Sequence, residues 1–123
     1  GIISSIVSGV DNRVKTTVLV VSGGNIPLIL EKSILFKGRL VKRLLKLRVK
    51  AIEPLNYIGN FRGYLQMHCG KMDRVIPPES SIQLFNAAKC EKEIHWYNTG
   101  HLLPLHFIEN RVIRFLNQHL VSS

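Results

Sequence analysis

Residues 65–104 decide the fold: "LQMHCGKMDRVIPPESSIQLFNAAKCEKEIHWYNTGHLLP". An apolar run ends at Gly70, and a polar loop leads to Pro77 and Pro78. The prolines open a helical stretch with Glu79 in its first turn, where a missing amide hydrogen is harmless and a carboxylate meets the positive helix end. A second β-type run, "KEIHWYN", then stops at Thr99 and Gly100. Strand, helix and strand in that order, with a helix long enough to serve as a crossover, predict two parallel strands.

The same alternation extends outward. "GIISSIVSGV" (1–10) can form a short helix, and "TTVLVVSGG" (16–24) is a β-branched run closed by glycines. "IPLILEKSILF" (26–36), with the basic segment after it, reads as helical. The closing stretch 103–120 puts Leu105, Ile108, Val112, Phe115 and Leu116 on one helical stripe. The fold class predicted is α/β: about three neighbouring parallel strands at 16–22, 62–69 and 92–97, with flanking helices. The N-terminus should lie near their carboxyl ends. No repeat, low-complexity stretch or linker divides the chain.

Composition bounds the function. The 123 residues are 46% hydrophobic, which fits one packed unit rather than a disordered chain. No apolar run approaches the roughly 20 residues needed to cross a bilayer, and the N-terminus lacks the order of a signal peptide. The reading is a soluble, cytoplasmic chain. Cys69 and Cys90 make neither a disulfide framework nor a metal-binding spacing, so both are expected as free thiols. The formal charge of +9 is concentrated: Lys37, Arg39, Lys42, Arg43, Lys46, Arg48 and Lys50 lie within residues 37–50 without an acid. Leu40, Val41, Leu44 and Leu45 keep near-helical spacing there. A basic amphipathic helix follows, read first as a solvated face and otherwise as a contact for an anionic membrane surface or an acidic partner. No aromatic-interleaved basic strand or zinc-ligand pattern favours nucleic acid, and none is expected as a partner.

In parallel sheets, chemistry gathers at the carboxyl ends of the strands. Asp73 lies three residues beyond Gly70 in the loop leaving the second strand, and His101 follows "TG" in the loop leaving the third. If those strands are neighbours, the side chains meet. A carboxylate beside an imidazole fixes its tautomer and stabilises the imidazolium formed when the ring takes a proton. Each residue alone reads more simply as a turn, cap or structural group; the pairing at matched strand ends carries the functional reading.

With those residues in view, residues 65–104 resemble the closing section of an α/β-hydrolase of the esterase, lipase and prolyl-oligopeptidase-like type: a strand into G-x-x-D, a "vP" turn, a helix, a short strand, and G-H. The earlier "GIISSIVSGVDNRVKTTVLVVSGG" resembles the helix behind the nucleophile, a D-x-R-v-k loop and the next strand, while residues 25–60 are least diagnostic. The resemblance implies that Asp73 is the triad acid and His101 the general base, in the order nucleophile, acid, base. It implies hydrolysis of carboxylic esters, thioesters or activated amides, with no organic cofactor and no metal. The G-x-S-x-G string is not in the chain; the resemblance places the nucleophilic serine about two residues before Gly1, with the oxyanion donors also outside. Residues 1–123 are then expected to be the C-terminal part of one hydrolase domain, inactive without the nucleophile-bearing half or a complementing chain. The competing reading is a non-catalytic hydrolase-like interaction module.

Within the chain, Ser22 in "VVSGGN" is the weak alternative nucleophile. Val20 stands where a tight strand-to-helix elbow favours a small residue, so strand termination is the simpler role. Ser4, Ser5 and Ser8 fall inside the opening helix. Cys69 is expected in the core, and His68, His95, His106 and His119 share no metal-ligand spacing and receive no chemistry.

Overall fold

The computed structural model describes residues 1–33, Gly38 and residues 50–121. The basic segment 37–50 therefore lies, apart from Gly38 and the backbone of Lys50, outside the described residues. The described elements are α1 (Ile2–Val10), β1 (Thr16–Val20), α2 (Ile26–Lys32), a 3-10 turn (Lys50–Ile52), α3 (Leu55–Ile58), β2 (Tyr64–Gly70), α4 (Pro78–Ala87), β3 (Glu91–Tyr97) and α5 (Leu105–Leu116), the last running into a wider turn at Asn117–Val121. The strands form a parallel sheet in the order β1-β2-β3. Its register sets Val20 beside His68 and Cys69 beside Trp96.

The two faces of the sheet differ in character. Leu65, Met67 and Cys69 of β2 alternate onto one face, where they pack with Leu19, Ile58, Phe61, Leu84 and Ala88, backed by Ile94 and Trp96. Burying each large side chain in that cluster contributes about 1.5–3 kcal/mol, so this face is the core. Helix α1 packs against α3 closely enough that a methyl group on Gly9 would run into the backbone of Tyr57. The opposite face is polar: Gln66, His68, Glu93, His95 and Tyr97 lie beneath α5 and bond to one another.

Several boundaries move from their expected places. β1 stops at Val20 rather than 22 because Val21 turns into the left-handed region (φ 46°) after its amide makes a last 2.8 Å bond to the His68 carbonyl. β2 begins at Tyr64 and runs through Gly70, and β3 starts one residue early at Glu91. Helix α4 ends at Ala87, short of Cys90. There Lys92 Nζ donates to the carbonyls of Phe85 and Ala88 at 2.7 and 2.6 Å, satisfying the helix end with a cation. On the α5 stripe Ile108 and Phe115 are buried but Leu105 is 70% exposed. The helix meets the sheet near its middle, where Gln66 donates to the Arg111 carbonyl, and its first residue overhangs. Helix α3 and the turn before it lie in the span whose sequence was least diagnostic.

Candidate active site

Two loops at the carboxyl end of the sheet build the site. The one after β2 is laced to the one after β3 by backbone bonds from Lys71 N to Tyr97 O (2.9 Å) and Met72 N to Thr99 O (3.0 Å). The crossing leaves no room for a side chain at Gly70: a β-carbon there would stand 2.3 Å from Gly100 O and 2.5 Å from Thr99 O. Glycine is thus required by close approach rather than by its dihedral angles.

Asp73 enters this crossing almost wholly buried, its side chain only 3% exposed. Oδ1 accepts the amides of Val75 and Ile76, each at 2.8 Å, a turn that an aspartate makes with its own loop. Both bonds aim the remaining oxygen. Oδ2 stands 3.0 Å from Nδ1 of His101, whose side chain is about a third exposed. An ionised carboxylate only accepts, so Nδ1 carries the proton and donates, and neutral imidazole then keeps its lone pair on Nε2. Among the described residues Nε2 has no partner. His101 borders a cleft of about 410 Å³ with Gly1, Ile2, Ile3, Val20, Val21, Ser22, Gly23, Val75 and Ile76. The structure thus brings Asp73 and His101 together and sets His101 beside the start of α1. Chemically, such a pair can take a proton at Nε2 and hold the resulting cation.

Ser22 lines the same cleft, but its side chain is turned inward. The residue is 2% exposed, and its hydroxyl bonds neither His101 nor any other described group. Its carbonyl accepts Ser81 Oγ at 2.7 Å. Ser5 Oγ donates to Gly1 O, and Ser8 Oγ shares a 2.7 Å hydrogen bond with Thr17 Oγ1 inside the packing of α1 on β1. Cys69 is buried, and that burial pushes its thiol up to about 11, an inert state; Cys69 and Cys90 are both free.

Of the other histidines, His68, His95 and His119 pack within the fold, and His106 is exposed. His68 is fully buried with both ring nitrogens bonded, Nδ1 to Tyr97 OH (2.8 Å) and Nε2 to Gln66 Oε1 (2.9 Å). Burial, reinforced by the nearby His95 and Arg111 charges, holds its pKa down at about 4. His95 bridges Glu93 and Arg111, and His119 stacks on Tyr64. Sequence reading missed Glu53. Its carboxylate accepts the amides of Asn25 (2.7 Å), Ile26 (2.6 Å) and Leu55 (3.1 Å), tying the start of α2 to that of α3. The signal was present in Asn25 before Ile26-Pro27 and Glu53 before Pro54, two helix openings, but their meeting is a tertiary event.

No protein-family model matches the chain, and no curated protein sequence matches it. Solved structures do. The acetyl xylan esterase from Paenibacillus sp. R4 superposes on 97% of this chain with a TM-score of 0.77 and 20% identity, and the chain spans 42% of that protein. The Pyrococcus horikoshii acylaminoacyl peptidase superposes on 96% at TM-score 0.79 and 15% identity, the chain spanning 22% of its length. The Pyrococcus furiosus esterase Pf2001 matches at TM-score 0.70 and 15% identity, with 95% of this chain and 49% of that one covered. The chain therefore has the fold of the C-terminal part of an α/β-hydrolase. It spans less than half the length of each of these three structures.

Proposed function

We propose that this chain is the acid- and base-bearing part of a serine hydrolase that cleaves carboxylic esters, thioesters or activated amides. The nucleophilic serine would be joined just ahead of Gly1 or be brought by a complementing chain. The observation that carries the reading is the buried Asp73 Oδ2 bonded at 3.0 Å to His101 Nδ1 at the rim of a cleft that also holds the start of α1. Support comes also from the likeness to esterases and an acylaminoacyl peptidase, all of which act on acyl groups by name.

In this reading Nε2 of His101 takes the serine proton during attack on the acyl carbon and returns it to the leaving alcohol or amine. Asp73 holds the ring in the Nδ1–H tautomer and stabilises the imidazolium without itself being protonated. The positive end of α1 opens into the cleft and favours the oxyanion of the tetrahedral intermediate. A small uncharged acyl group suits walls made by Ile2, Ile3, Val20, Val75 and Ile76. An apolar stripe on α1, with Ile3, Val7 and Val10 exposed, and the side of β1 that is unpaired among the described residues suit the packing of the rest of such a domain or of a complementing chain.

The test is labelling by a serine-directed fluorophosphonate. The 123-residue chain alone should remain unlabelled. The natural polypeptide that carries it, or its complex with a complementing chain, should label at one serine outside residues 1–123 and hydrolyse a short-chain aryl ester. A folded, inert assembly would favour the non-catalytic module, and labelling at Ser22 would relocate the nucleophile.

A further inference from the structure

Ser22 carries two local costs at one point of the cleft. Val21 before it is β-branched yet held at φ 46°, a conformation that costs of order 1–3 kcal/mol and persists where the surroundings enforce it. The Ser22 hydroxyl is buried, with no hydrogen-bond partner among the described residues. Such a group destabilises a fold unless something bonds it. What lies against it is Gly1. A β-carbon on Gly1 would stand 2.6 Å from Ser22 Oγ and 2.8 Å from Ser22 Cβ, so the start of α1 fits over Ser22 only because the residue there has no side chain. The helix is otherwise tied at its beginning by its own bonds, Ser5 N and Oγ to Gly1 O.

We infer that Ser22 is a positioning residue. Its side chain is the stop against which Gly1 seats, with the buried hydroxyl lying directly against Gly1. Resting on the hydrolase reading above, this contact sets the distance from the nucleophile to His101. Ser22 does not touch the acyl group; it acts through α1. The left-handed Val21 turns the Ser22 side chain under the helix instead of letting β1 run on past it.

Two measurements on the natural polypeptide or complex test this. Ser22→Ala should lower kcat about tenfold with KM and the pH profile unchanged, because Asp73 and His101 are untouched and the nucleophile is displaced. The second is a double-mutant cycle. Gly1→Ala alone should lower the thermal midpoint through its clash with Ser22, and Ser22→Gly should remove most of that loss, so the pair is strongly non-additive. Unchanged kcat in Ser22→Ala, or raised stability with full activity, would mean an orphan hydroxyl and overturn the inference. So would an additive cycle. An inert wild type sinks the hydrolase reading instead, and the cycle then still decides whether Ser22 seats Gly1.

Discussion

Exchanging Asp73 for asparagine isolates what the carboxylate does, because the replacement fits the same space and can adopt only two orientations. In one, Oδ1 keeps the Val75 and Ile76 amides, now 2.8 Å away, and Nδ2 faces Nδ1 of His101. In the other, the amide group is flipped to accept from His101 and turns its NH2 against two backbone donors inside a buried turn. Each such donor conflict costs about 1–3 kcal/mol, so the flip loses two of them to save one contact. The first orientation wins. It offers Nδ1 a donor, so the ring proton moves to Nε2, the nitrogen that accepts the serine proton in the proposed reaction. Turnover should then fall about 10⁴-fold while stability drops by only about 1–2 kcal/mol for the lost charge-assisted bond. Asp73→Ala should cost more stability, because it strands both amides, and a similar loss of rate. Nitrogen-15 shifts of the His101 ring in the chain itself report the tautomer, and ester turnover of the active assembly reports the rate. An asparagine variant that keeps the Nδ1–H tautomer, or loses less than about tenfold in rate, would refute the reasoning.

Gly70→Ala should destabilise the chain by more than about 1–3 kcal/mol and break the 3.0 Å Asp73–His101 bond, since the clashing atoms are carbonyls of the His101 loop; a urea midpoint equal to wild type would contradict the crossing. His68 gives a pH signature. Its folded value of about 4 lies below the ordinary 6.5, so it is neutral in both states above 6.5. Stability is lost as pH falls from there toward 4, where the unfolded chain binds the extra proton, at up to about 1.4 kcal/mol per pH unit. His68→Gln should flatten that slope in urea titrations, and an unaltered slope would assign it elsewhere. Glu53→Gln keeps one acceptor oxygen but turns an NH2 on an amide of the α2 or α3 opening, and should cost about 1–3 kcal/mol in chemical denaturation; a neutral result would mean water serves those amides equally well.

The order of the elements, and the strand ends at which Asp73 and His101 stand, are legible in the sequence. Three β-type runs separated by helical stretches leave parallel pairing as the economical solution, and "GKMD" and "NTGH" each follow a strand, so Asp73 and His101 had to share one end of the sheet. These are local facts: glycine ends a run, proline opens a helix, and side-chain period distinguishes strand from helix. Tertiary structure alone decided what depends on residues distant in the chain. β1 ends early because Ser22 must pass beneath Gly1 and bond Ser81, a constraint that β propensity at Val21 does not contain. His68 is neutral because α5 covers its face of the sheet and both ring nitrogens are bonded, one to Gln66 two residues earlier on β2 and the other to Tyr97 across the sheet on β3. Leu105 continues the apolar stripe of its helix yet stays exposed, because α5 crosses the sheet at its middle. In each case the deciding term is the cost of burying or leaving bare a particular group, and that is fixed only when the remote partner arrives.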